Sequence, residues 1–121
     1  MQTIKALAVA AAAFFVAGLA DVSTLKIREY TKLGSSYTGG SPQVAQEPGR
    51  DMTPVTFTGT AGSSAAFASD TNFIAIVADV QFCYSVGASP TATTNMVYVP
   101  AASLFYIGVT PGLKISAIAC P

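Results

Sequence analysis

The sequence contains no histidine, and only 10% of its 121 residues are charged. Without histidine the chain lacks the usual general base, the commonest nitrogen ligand of metals and the side chain that titrates near neutral pH. An ordinary soluble domain is about 25% charged, so we expect something other than water to cover part of this surface. The sequence therefore predicts a protein without enzymatic activity, metal or cofactor.

Neither sign of charge is in excess. Six basic residues balance six acidic ones, and the net charge is zero. A domain that binds nucleic acid needs a basic patch or stripe to neutralise phosphates, and the sequence contains no such stripe. We therefore expect no nucleic acid among the partners.

Only two cysteines are present, Cys83 and Cys120, and their spacing fits no metal site. They either pair in a disulfide or remain buried thiols that pack as small apolar side chains. Spacing alone leaves both alternatives open.

Other candidate chemical groups are isolated. Serine and threonine are frequent, but no GxSxG-like elbow presents a serine to a base. Asp79 lies in the most apolar stretch, where a lone carboxylate is more often the cap of a turn or bulge than a functional group. Four aromatic residues at strand spacing are candidates for a groove that binds a sugar or a base, or for core and subunit contacts. They are Tyr84, Tyr98, Phe105 and Tyr106.

A long apolar run lies near the N-terminus, in residues 6–20. Lys5 precedes the run and small residues end it before Asp21, which is typical of a secretory signal peptide. The run is short for a membrane-spanning helix, which needs about 20 residues, and it is apolar on every side, as buried helices are. Three interpretations remain open: a retained helix buried in a protein assembly, a cleaved signal peptide and a short membrane anchor. The candidate anchor residues are Ala6, Leu7, Val9, Phe14, Phe15, Val16 and Leu19.

After the leader the pattern changes to short alternating runs separated by turn residues, which is typical of β-strands. This pattern predicts an all-β fold, an antiparallel and jelly-roll-like β-sandwich of about seven or eight strands behind an N-terminal apolar helix. The domain boundaries that we expect are 1–21 for the helix, 22–33 for an edge or arm strand, 34–52 for a Gly/Pro-rich linker and 53–121 for the β-sandwich domain.

Two local features give sharper predictions. Residues 73–86 alternate in polarity over a length too great for one ordinary strand, so we expect a bend or break near Asp79. Thr110-Pro111-Gly112 is a tight-turn signature, since proline presets the backbone at the second turn position and glycine accepts a positive φ at the third. This turn predicts a hairpin over residues 104–119.

Several motifs occur together in an unusual order and spacing. They are the strand ending in Ala78-Asp79, a second strand ending at Gly87, the SPTATT turn at 89–94, the closing GVTPGLKISAI at 108–118, and upstream LKIREYTKLG and the EPG at 47–49. This set resembles a family of small structural proteins of tailed phages and prophages. The resemblance covers about residues 24–119.

The resemblance implies a virion component, of the head or neck decoration, fibre-base or minor capsid type, with no enzymatic activity. Its partners would be other virion proteins of the capsid, neck or tail and copies of itself, with membrane contact through the N-terminal helix as a further expectation. The leader departs from the family, whose members usually begin close to the strand that starts here near Thr24. The alternative is an exported bacterial surface or binding domain of the envelope or periplasm, with its signal peptide cleaved.

Overall fold

The computed structural model describes residues 22–34 and 44–121. The expected N-terminal helix and all seven candidate anchor residues lie outside these ranges. The described residues form nine β-strands and no helix, and every strand pair is antiparallel. The strands are β1 (Ser23–Tyr30), β2 (Arg50–Asp51), β3 (Val55–Phe57), β4 (Gly62–Ser63), β5 (Phe73–Ala78), β6 (Phe82–Gly87), β7 (Tyr98–Val99), β8 (Phe105–Gly108) and β9 (Lys114–Ala119). The prediction of an all-β antiparallel fold is confirmed.

The first sheet has the order β2-β1-β5-β8, and β3 pairs with β1 on the same side as β2. Along β1, Leu25 and Ile27 point towards the second sheet and are almost fully buried, while Lys26 and Arg28 alternate with them on the outer face. β1 therefore has neighbours along both edges, whereas the sequence pattern predicted an edge or arm strand. β2 also lies inside the stretch expected to be a linker, and its pairing with β1 fixes that part of the stretch to the sheet.

The second sheet has the order β4-β9-β6-β7. Alternate residues of β6 and β9 point towards the first sheet. Phe82 and Ile115 are among them, and both side chains are fully buried. Both sheets contribute to one continuous core, which lies between them. Its buried members are Leu25, Ile27, Val55, Phe57, Phe67, Ile74, Ile76, Ala78, Phe82, Val99, Ile115 and Ala117.

The long alternating segment breaks where the sequence predicted. β5 ends at Ala78 and β6 begins at Phe82, so the chain leaves the first sheet at Asp79 and enters the second. Asp79 is exposed, and its Oδ1 accepts a hydrogen bond of 3.0 Å from the backbone N–H of Thr24. The Asp79 carboxylate therefore joins the start of β1 to the break between β5 and β6.

The turn at Thr110-Pro111-Gly112 also forms as predicted. Gly112 has a φ of 85°, and the N–H of Leu113 donates to the carbonyl of Thr110 over 3.3 Å. The predicted hairpin is wrong, because β8 pairs with β5 in the first sheet while β9 pairs with β4 and β6 in the second. Phe67 holds the turn between the sheets, since its backbone N–H donates to Leu113 and its carbonyl accepts from Gly112.

One carboxylate of the described residues is buried, and it is Glu29 rather than Asp79. Its Oε1 accepts hydrogen bonds of 2.8 Å from the N–H of Ala68 and from the hydroxyl of Thr71, and its Oε2 lies 3.2 Å from Nε of Arg50. Arg50 also donates to Asp70. Glu29 thereby attaches the loop before β5 to the middle of the first sheet.

Two substitutions of Glu29 distinguish how much its hydrogen bonds and its ion pair each contribute to stability. Glu29→Ala leaves the buried hydroxyl of Thr71 and the half-buried N–H of Ala68 without their acceptor, so we expect the free energy of unfolding to fall by about 2–4 kcal/mol. Glu29→Gln keeps an oxygen acceptor and loses only the ion pair, so we expect a loss of about 1 kcal/mol. Urea unfolding followed by circular dichroism measures both. Equal losses in the two variants would contradict the assignment of stability to the hydrogen bonds.

Two exposed carboxylates give the fold a dependence on acid. Hydrogen bonds from Arg28 to Asp51 and from Arg50 to Asp70 hold the pKa of each carboxyl below its ordinary value of 3.8. Groups with a depressed pKa in the folded state stabilise it above their unfolded pKa, and this contribution is lost as the pH falls through the folded value. We therefore expect the urea midpoint to drop between about pH 5 and about pH 2.

The double variant Asp51→Asn/Asp70→Asn is the matched control for this acid dependence. It retains the fold and the other carboxylates but loses the two depressed groups, so its urea midpoint should fall less over the same pH range. An identical fall in the variant and the unsubstituted protein would show that other groups cause the acid dependence.

Candidate functional site: the apolar edge

Both sheets end on the same side of the molecule, at β7 in the second sheet and β8 in the first. The short connection from Pro100 to Leu104 joins these two edge strands, and the N–H of Ala102 donates to the carbonyl of Ala78 over 2.8 Å. Large apolar side chains on and beside these strands are exposed, with Val97 at 68% and Tyr106 at 52%. We call this surface the apolar edge. It consists of Met96, Val97, Tyr98, Leu104, Phe105 and Tyr106.

Position in the sheets explains why these side chains are exposed. An edge strand has a neighbour on one side only, so its residues are covered only where they point inwards between the sheets. Val99 of β7 is buried in the core and Ile107 of β8 packs against it. Phe105 points the same way but stays 41% exposed, because it lies at the open margin against Tyr84 of β6, with ring centroids 6.3 Å apart.

The apolar edge carries no charge. The sequence contains no Asp, Glu, Lys or Arg between Asp79 and Lys114. The opposite margin differs, since β2 consists of Arg50 and Asp51 and β4 is only two residues long. Charged side chains and very short strands discourage pairing with other chains at a sheet edge. The first sheet therefore has charged protection at its β2 margin, whereas β8 at its other margin is uncharged and four residues long. The second sheet ends in a two-residue strand on both sides, β4 and β7.

An aromatic cluster continues the apolar edge onto the outer face of the first sheet. Tyr30 stacks on Phe73 with ring centroids 5.1 Å apart, and Tyr106 lies within 6.5 Å of both rings. Burial raises the pKa of the Tyr30 hydroxyl above its ordinary value. A groove of about 570 Å³ lies on the same face, and it is lined by residues of β1 and β5, by the chain from β2 towards β3 and by Leu104.

The four aromatic candidates do not line one groove. Tyr84 and Phe105 meet between the sheets, whereas Tyr106 pairs with Ala75 and shares the outer face of the first sheet. Tyr98 pairs with Cys83 and therefore lies on the outer face of the second sheet. The four residues therefore do not form the common groove that was one of the two interpretations, and three of them belong to the apolar edge.

Cys83 and Cys120 form a disulfide. Cys83 lies on the outer face of β6, and Cys120 follows β9, its neighbour in the sheet. Ala92 and Ile118 are buried with the bridge in a small second cluster that lies on the opposite side of the second sheet from the main core. Of the two alternatives left open by the sequence, the structure contains the disulfide.

No group of three or more His, Cys, Asp or Glu within the described residues is placed to hold a metal ion. No helix in the described part of the chain has the length and apolar character needed to cross a membrane.

Comparisons with models of protein families, with curated proteins and with solved structures each return no match to this chain.

Removing the disulfide tests how much the closed loop contributes to stability. The bridge spans a sequence separation of 37 residues, and closing a loop of that size in the unfolded chain is worth about 3–4 kcal/mol. We therefore expect the double variant Cys83→Ala/Cys120→Ala to unfold at a clearly lower urea concentration. The unsubstituted protein in a thiol reductant serves as the control and should lose a similar amount. If neither sample unfolds at a lower urea concentration, the loop closed by the disulfide does not contribute to the stability of the fold.

Proposed function

We propose that the chain is a structural component of a phage virion, of the minor capsid, decoration or neck/fibre-base type, without enzymatic activity. The observation that carries the proposal is the apolar edge, an uncharged and exposed surface along the open margin of both sheets. Large exposed apolar patches on soluble domains are typical of interaction surfaces. Other virion proteins and copies of the chain itself are the partners that this proposal names.

The strand order supports a jelly roll. β2 and β3 pair with the same side of β1, so together they occupy one edge position of the first sheet. The strand order of the two sheets then matches that of a jelly roll, except that the first strand in sequence, β1, occupies the place of the jelly roll's last strand. Val22 and Pro121 line one pocket together, so the start of β1 and the end of β9 lie side by side, where a jelly roll would run from one strand to the next. Jelly rolls recur in viral capsid domains, although a fold alone does not determine a function.

The apolar leader enters the proposal as an anchor. Residues 6–20 contain no charge, and their small side chains suit close packing against protein. In the proposed arrangement the leader is retained as a helix that docks in a neighbouring subunit or contacts a membrane, and the two sheets extend away from it.

The disulfide favours a second candidate, an exported bacterial surface or binding domain of the envelope or periplasm. Disulfides persist in oxidising surroundings, which include the periplasm and cell surfaces as well as the surfaces of released virions. In this candidate the leader acts as a signal peptide and is removed before Asp21. The fate of the leader therefore distinguishes the two functions better than the disulfide does.

Purified particles of the phage that encodes the chain provide the test. We expect the chain in a fixed ratio to the major capsid protein, with an intact mass that includes residues 1–20. The control is the same measurement on the periplasmic fraction of host cells that express the gene alone. A chain that is missing from particles and starts at Asp21 in the periplasm would replace the virion assignment with the second candidate.

A further inference from the structure

We propose that the outer margin of β8 pairs in antiparallel fashion with β8 of a second copy of the chain, so that the first sheets of two copies form one continuous sheet. This inference rests on the proposed assembly function and names the partner of the apolar edge. It follows from the direction of the backbone groups of β8, from the distribution of charge and from the symmetry of the resulting contact.

The backbone of β8 offers a free row of hydrogen-bonding groups. The N–H of Val109 donates to the carbonyl of Asn72 over 3.0 Å, so Val109 directs its backbone groups towards β5. Backbone groups alternate in direction along a strand, so Phe105 and Ile107 face β5 as well. Within β8, Tyr106 and Gly108 direct theirs away from the sheet, and Leu104, which immediately precedes the strand, is the next position in the same alternation. No other described strand pairs with that side of β8.

The lack of charge favours a second copy as the occupant, because it removes the usual obstacle to pairing of a surface with itself. A two-fold axis brings the same surface of both copies together, so any charge at the centre of the contact would lie close to its own equivalent. The whole chain from residue 80 to residue 113 is uncharged, and β8 lies inside this stretch. A contact of β8 with itself therefore brings no like charges together. The apolar side chains at this margin are then removed from water in both copies.

One register satisfies every outward-facing group. If Tyr106 pairs with Tyr106 of the second copy, Leu104 lies opposite Gly108 in both directions. The outward backbone groups of Tyr106 and Gly108 then both meet the partner strand. The space at Gly108 suits this register, because an added Cβ there would meet no atom within 4 Å. The two Tyr106 rings then lie side by side on the outer face and extend the aromatic cluster across the dimer.

The second sheet adds to the same contact. β7 ends that sheet on the same side of the molecule as β8, and the exposed side chains of Val97 and Tyr98 lie there. A symmetric approach of two copies along β8 therefore brings both β7 margins near one another. Near Gly108, Leu33 and Val44 form the wall of a shallow pocket with Phe73, so they border the contact on the outer face.

Single cysteines in the full-length chain test the register. Across a hydrogen-bonded antiparallel pair the Cα atoms are about 5.5 Å apart, within the range that a disulfide spans. Tyr106→Cys should therefore form a covalent dimer on mild oxidation, visible on a non-reducing gel. Leu104→Cys alone should not, since the two-fold axis places it opposite Gly108. A mixture of Leu104→Cys and Gly108→Cys chains should form a mixed dimer, and the native cysteines are already paired.

Sedimentation of the chain without added cysteines tests the pairing independently. We expect a concentration-dependent dimer, and Tyr106→Lys should raise its dissociation constant at least about tenfold, because two lysines would face each other across the axis. Thr56→Lys is the matched control, because Thr56 is the exposed residue of β3 at the opposite margin, and it should leave the dimer unchanged.

Several results would overturn the pairing. Equal cross-linking by Leu104→Cys and Tyr106→Cys would exclude the register, and a monomer at all concentrations would exclude the dimer. A monomer in which the amides of Tyr106 and Gly108 resist hydrogen exchange would show that another part of the chain covers β8. If particles contain the chain but it never dimerises, the pairing fails and the virion assignment stands. If it dimerises as described but is missing from particles, the virion assignment fails alone.

Discussion

The pairing of β1 along both of its edges holds the first sheet together. On one side β1 runs beside β5 over six residue pairs, from Leu25 opposite Ala78 to Tyr30 opposite Phe73. On its other side β2 and β3 pair with it, and Glu29 binds the loop that leads into β5. The inward side chains of β1 then cover the second sheet. The core, the position of the loop and the placement of β8 at an open margin all depend on this strand.

Local features of the fold could be predicted from the sequence, and long-range pairing could not. The break at Asp79 and the turn at Pro111-Gly112 depend on a few neighbouring residues, so alternation and turn chemistry were sufficient. The sheet to which a strand belongs depends on distant segments. A turn between two strands resembles a hairpin in sequence even when Phe67 holds it between two sheets, which is why the hairpin over residues 104–119 was wrong.

The sequence indicated which types of residue the apolar edge contains but not how these residues are arranged. Scarcity of charge indicated a covered surface, and the aromatic residues were identified, but alternation alone does not tell which face of which sheet each of them occupies. Tyr84 and Tyr98 therefore lie on different faces of the second sheet although both were candidates for one groove. Glu29 was missed as a buried acid because it follows the alternation of an ordinary strand, and its partners Ala68 and Thr71 are about forty residues away in the chain.

The disulfide also determines how the molecule tolerates cleavage by proteases. The segment that it closes, from Cys83 to Cys120, contains the whole of β7 and β8 and therefore the entire apolar edge. A nick in the exposed turn near Asn95 breaks one peptide bond but releases no fragment, since both new ends remain covalently joined through the bridge. A chain cut by a protease at this turn would thus keep the apolar edge covalently attached to the rest of the molecule.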